Sequence, residues 1–139
     1  MYEIFEHTAD LGIRVRSGNL DDLFADAARG LFSLLVNNPD PVSTTSGVTF
    51  HLRADNIEDL LHDWLTELLF TFYAGRLVLT DFQVQVKSSS ARELIAAVQS
   101  EPIDPKRHQI EAEVKAITWH ALKVERQPEG WMAEVIVDI

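Results

Sequence analysis

Leu11, Ile13 and Val15 alternate with Gly12, Arg14 and Arg16, a period-two pattern that predicts a half-buried strand. Ser17-Gly18 then makes a turn, and Leu20, Leu23, Phe24, Ala27, Leu31, Leu34 and Leu35 recur at helical spacing. The spacing predicts an amphipathic helix over 20–36. Asn19 is its N-cap, and Asp21 and Asp22 lie in the first turn, where the helix dipole favours negative charge. Asn37-Asn38-Pro39-Asp40-Pro41 stops it, because proline lacks an amide proton and restricts its predecessor. The same order then recurs. Val48, Phe50 and Leu52 alternate with polar residues, Asn56 caps a second helix, and Glu58 and Asp59 occupy its first turn. Ile57, Leu60, Leu61, Trp64, Leu65, Leu68, Leu69 and Phe72 form the apolar stripe, with Gly75 as the expected stop. A shift of 37 positions overlays Leu11, Ile13, Val15, Asn19, Asp22 and Leu23 on Val48, Phe50, Leu52, Asn56, Asp59 and Leu60, which suggests two related strand–helix units. Two units are too few for a solenoid.

The second half reads as all-β. Leu77 and Val78 lead into Phe82, Val84 and Val86, which alternate with glutamines and Lys87, and Ser88-Ser89-Ser90 makes a turn. Residues 91–99 form a candidate strand, with helix as the alternative because Ala, Arg, Glu and Leu favour it. Pro102 and Pro105 bound a polar loop ending at His108. Residues 110–118 and 121–126 read as two strands around Trp119-His120, and a Pro128-Glu129-Gly130 turn leads to a last strand over 131–138. This order predicts an α+β fold of one domain, 1–139, with two amphipathic helices packed on a largely antiparallel or mixed β-sheet.

Composition narrows the function. With 46% hydrophobic residues, the 139-residue chain can build a real core. No run approaches the ~20 apolar residues that span a bilayer. Met1–Glu6 has neither a basic stretch nor a long apolar core, so no signal peptide is expected there. The absence of cysteine excludes disulfides, zinc ribbons and thiol catalysis, and it suits a reducing cytoplasm, the expected location. The net charge of -10 disfavours direct nucleic-acid binding, which needs clustered Lys and Arg. It suits solubility, a cation or a basic protein surface.

No glycine-rich phosphate loop, Gly-x-Ser-x-Gly or His-Glu-x-x-His occurs, and nothing argues positively for catalysis. The chemistry concentrates at the two ends. His7 and Asp10 stand three apart at a strand entrance, where the plain reading is local turn hydrogen bonding. Asp138 follows Ile136 and Met132 on one face of the last strand, and it either frays into water or docks. If docked, Asp138, the Ile139 carboxylate and Asp10 supply hard oxygen ligands, suited to calcium or magnesium rather than zinc. Lys115 is an exposed strand lysine or a contact for a carboxylate or phosphate near that site. His108, just before its strand, is a weaker candidate. His51, His62 and His120 read as structural or solvated, and Trp64 as core.

Five segments, in order, carry a resemblance to the archease family. They are Phe5-Glu6-His7-Thr8-Ala9-Asp10-Leu11-Gly12-Ile13, Leu20-Asp21-Asp22-Leu23-Phe24, Asp59-Leu60-Leu61-His62-Asp63-Trp64-Leu65, Val114-Lys115-Ala116-Ile117-Thr118-Trp119-His120 and Val135-Ile136-Val137-Asp138-Ile139. Ser100-Glu101 departs from the family's usual Gly-Glu, at what is expected to be a turn. The resemblance implies a non-enzymatic accessory protein that assists an RtcB-type tRNA-splicing RNA ligase, promoting its guanylylation and multiple turnover. It implies a divalent-cation site, calcium favoured, at Asp10, Asp138 and Ile139. It also makes Lys115 the activation lysine; from their placement in the chain, His7 and, more weakly, His108 are further activation candidates. The rival readings are a small metal-dependent hydrolase, a chaperone-like interaction module and a purely structural calcium clip for the C-terminus. The sequence shows no large exposed apolar stripe that would favour the chaperone-like module.

Overall fold

The computed structural model describes residues 1–37, 46–87 and 92–139. In chain order the elements are β1 (Tyr2–His7), β2 (Asp10–Ser17), α1 (Leu20–Leu35), β3 (Val36–Asn37), β4 (Ser46–Arg53), α2 (Ile57–Gly75) and β5 (Leu77–Val86). They continue with β6 (Glu93–Pro102), β7 (Gln109–Ile110), β8 (Ala116–Ile117), β9 (Lys123–Gln127) and β10 (Gly130–Asp138). The α+β expectation holds. A five-stranded sheet runs β1-β2-β10-β8, with β9 pairing the other end of β10, and a three-stranded sheet runs β4-β6-β5. All pairings are antiparallel. The expected turn at Ser88–Ser90 and most of the proline-rich stop after α1 lie outside the described residues.

The two strand–helix units share their capping chemistry. Asn19 Oδ1 accepts the Asp22 N–H at 2.9 Å while Asn19 Nδ2 donates to the Asp22 carboxylate at 3.1 Å. Asn56 and Asp59 repeat both contacts at 2.8 and 3.2 Å. Each cap satisfies a helix-end amide that would otherwise lack a partner. Asn19→Ala and Asn56→Ala are each expected to cost about 1 kcal/mol, read from urea midpoints at constant slope.

α1 is the central element, packing on β1 and β2 as well as on β5 and α2. Leu23, Phe24, Ala27, Ala28, Leu31 and Leu35 are fully buried there. At α1's close approach to the sheet, a side chain at Gly30 would come within 2.8 Å of Ile13. α2 contributes Leu60, Leu61, Trp64, Leu65 and Leu68 to the same core.

Several boundaries differ from the sequence reading. β1 was not anticipated. α1 ends at Leu35 and gives way to extended backbone at Val36. α2 runs through Gly75, and the left-handed residue is Arg76 (φ 53°), whose carbonyl accepts the Ile103 N–H at 2.9 Å. Residues in the 91–99 window adopt strand, as β6, with Leu94, Ala96 and Val98 buried on one face. Ser100-Glu101 lies within this strand and is buried, so no turn falls there. The strand expected over 110–118 is two short ones. Glu111 N–H bonds the Leu35 carbonyl at 3.0 Å, and Lys115 N–H bonds the Asp138 carbonyl at 2.7 Å. The segment thus passes from the end of α1 to β10 and has no single strand partner.

Glu93 opens β6 beneath three basic groups: His51 at 2.8 Å, and Arg53 and Lys87 each at 3.5 Å. The hydrogen bond from His51, aided by the neighbouring cations, holds its carboxyl below the ordinary glutamate value against some burial. A depressed folded value contributes stability above the ordinary value and loses it as pH falls through the folded one. Acid titration of unfolding midpoints is expected to show a shallower acid limb in Glu93→Gln than in wild type.

Candidate functional site

The β1–β2 hairpin turns at Thr8–Ala9, with Thr8 at φ 51°, so His7 and Asp10 face each other across the turn. β10 runs antiparallel along the other side of β2, down to Val137 opposite Leu11. One step further the same register brings Asp138 abreast of Asp10. On its far side Asp138 pairs with Ala116, and its carbonyl takes the Lys115 N–H. Asp138 is therefore docked between strands and does not fray. Opposed residues of an antiparallel ladder share a face, so His7, Asp10 and Asp138 form a row across three strands.

The neighbouring rows define its character. In the next one the Phe5 ring covers Gly12, so closely that a methyl group on Gly12 would fall within 2.1–2.5 Å of the ring. The Arg14 guanidinium sits 4.6 Å over that ring. In the third row Arg14 bridges Glu134 at 2.9 Å and Glu3 at 3.1 Å. Those bonds, Glu134's foremost, hold Arg14 still more firmly charged than usual. The first row has no such cation among the described residues. Among the described residues neither Asp10 nor Asp138 has an ion-pair partner. Buried His7 Nδ1 has no hydrogen-bond partner among the described residues, and the His7 ring lies 5.3 Å from that of His120. Among the described residues no three His, Asp or Glu side chains converge into a ready metal shell. What the row offers an ion is two carboxylates on adjacent strands, with the Ile139 carboxylate one residue beyond.

Lys115 stands on the wall of an open groove of about 650 Å³ between α2 and β8. His62 Nε2 is bonded to the Ile117 carbonyl at 2.9 Å, and its ring stacks on Trp119 at 3.5 Å and 13°. The remaining wall is mainly apolar, including Leu69, Phe70 and Tyr73. Burial pushes the Tyr73 hydroxyl above its ordinary value, opposed by a hydrogen bond with the Val114 backbone. An exposed apolar surface therefore exists where none was legible. Its one sequence signal is that Phe70 and Tyr73 fall off the α2 stripe. His120, set aside as structural or solvated, was also missed as a neighbour of His7.

His108 is not part of this arrangement. It is buried in the loop after β6, where its Nδ1 accepts the Asp104 N–H at 2.9 Å and its Nε2 bonds the buried Glu101 carboxylate. Because Nδ1 accepts, Nε2 carries the proton and donates.

With this geometry in view, comparison with known proteins is direct. The Archease protein family (MTH1598/TM1083) matches residues 2–139. The archease of Methanopyrus kandleri is 37% identical over 139 residues, covering 99% of each chain. That of Pyrococcus abyssi is 37% identical over 140 residues, covering 99% of this chain and 98% of its own. The chain belongs to the archease family. Its fold resembles the solution structure of protein 1598 of Methanobacterium thermoautotrophicum, with TM-score 0.76 and 24% identity over 99% of this chain and 98% of that one. It also resembles the crystal structure of a Thermotoga maritima archease described as a possible chaperone, with TM-score 0.65 and 19% identity over 100% and 98%. Among the described residues no helix is long and apolar enough to cross a membrane.

Proposed function

We propose that this protein is a non-enzymatic accessory factor of an RtcB-type RNA-splicing ligase in the cytoplasm, promoting the ligase's guanylylation and repeated turnover. Asp10, Asp138 and the Ile139 carboxylate bind a divalent cation, calcium in preference to magnesium. The observation that carries this reading is the pair Asp10 and Asp138, abreast on β2 and β10 and without an ion-pair partner among the described residues, while two rows along, four residues away, Arg14 neutralises Glu3 and Glu134. Like charges directly opposed in a sheet destabilise the pairing, and a cation between them reverses that cost. Calcium takes six to eight oxygens, so three carboxylates leave coordination sites for water or a partner's oxygens. The net charge of -10 suits a protein that meets the ligase and leaves RNA contact to it.

The test is ligase guanylylation with GTP under multiple-turnover conditions, with wild type, Asp10→Ala and Asp138→Ala. Wild type is expected to accelerate it. Each variant, folded by its melting curve, is expected to lose on the order of tenfold of that acceleration, the scale of damage to metal-site residues. Calcium is expected to raise the melting temperature of wild type alone. Activation by Asp10→Ala as strong as by wild type would sink the proposal. The apolar groove favours a second reading, a chaperone-like interaction module. That reading requires suppressed client aggregation that is indifferent to calcium.

A further inference from the structure

Resting on the accessory role proposed above, we infer that the groove between α2 and β8 is the docking site for the partner protein. It takes an apolar side chain of the partner whose neighbouring carboxylate pairs with Lys115. Phe70, Tyr73 and Trp119 are 64%, 44% and 56% exposed, and all three converge on this groove. Large apolar groups gathered in this way mark an interaction surface. The Trp119 ring is stacked on a His62 that is itself tied to the Ile117 carbonyl. An aromatic anchor ordered before binding loses little entropy on association.

Charge selects the occupant. Among the described residues no carboxylate pairs with Lys115, so its ammonium stands free beside the apolar wall. A carboxylate set next to an apolar side chain complements both features. The overall charge of -10 opposes an anionic membrane or a nucleic acid as the occupant. The groove also adjoins the carboxylate row, since the Lys115 main chain bonds the Asp138 carbonyl while its side chain lines the groove. A partner seated there lies within reach of Asp138.

Affinity for a purified cognate RtcB-type ligase, measured by calorimetry beside the guanylylation assay, tests this. Phe70→Ser and Trp119→Ala alter exposed side chains and are expected to keep the fold, as melting curves check. Each is expected to raise the Kd about tenfold or more, with activation recovered at correspondingly higher protein concentration. Lys115→Glu is expected to weaken binding more than Lys115→Met. Ile95→Ser, which removes an exposed apolar group on β6, serves as the control and is expected to bind as wild type does. Groove variants that bind like a wild type that both binds and activates overturn the docking site and leave the accessory role standing. A wild type that neither binds nor activates overturns both. Self-association that Phe70→Ser abolishes assigns the groove to a second copy and overturns the inference.

Discussion

Trp64→Ala is expected to destabilise the fold by about 3–5 kcal/mol, the usual range for emptying a fully buried indole site. Trp64 has no exposed surface. Its ring meets Phe50 edge-on at 5.5 Å and Phe82 at 6.5 Å, while Nε1 donates to the Phe24 carbonyl at 3.0 Å. One side chain thus joins α2 to α1, β4 and β5. Removing it deletes apolar contact and leaves a cavity that helices and sheet cannot both close around. Against a total stability of about 5–15 kcal/mol, this is a major share. Urea unfolding should show a lower midpoint at constant slope. Trp64→Phe keeps most of the volume and should recover more than half of the loss. A cost below about 1 kcal/mol for Trp64→Ala would contradict the close packing claimed for this core.

Gly130→Ala is the second large effect, at about 2–4 kcal/mol, because backbone strain and a steric clash add. Gly130 opens β10 at φ 143°, a conformation that L side chains rarely adopt. A methyl group there would lie 2.3 Å from the Ser17 carbonyl oxygen and 2.9 Å from Gly18 Cα, both backbone atoms that cannot rotate away. Gly18→Ala is the matched control, since a methyl group there meets nothing within 4 Å. Thermal melts of the two variants should separate clearly, and equal melting temperatures would refute the steric argument. The consequence reaches the far end of β10. If the strand relieves the clash by slipping one residue, every side chain changes face, and Asp138 leaves the row it shares with Asp10.

Much of this was legible in the chain. The helix stripes, both asparagine caps and the alternation of β2, β4, β5 and β10 follow from local spacing, and so does Trp64 as core. The candidates Asp10 and Asp138 were also readable as residues. β1 was not, because Tyr2–His7 carries acids between its apolar residues and gains its place from pairing with β2 and from Tyr2 lying against Gly30. The division of 110–118 escaped for a related reason. Alternation reports which side chains are buried and is silent about which strand the backbone bonds. His108 read as the end of a polar loop with a weak functional claim, and only folding buried it against Glu101.

The sequence by itself determined the α+β class, the two capped helices, the acidic surface and the residues able to offer oxygen ligands, since each depends on neighbours a few residues away. Only the tertiary structure decided that β10 lies between β2 and β8, which sets Asp138 abreast of Asp10 and leaves both acids without a cationic partner among the described residues. It also decided that Phe70, Tyr73 and Trp119 share a groove with Lys115. Those outcomes depend on strand register and helix placement, set by burial of one common core rather than by any local run of residues.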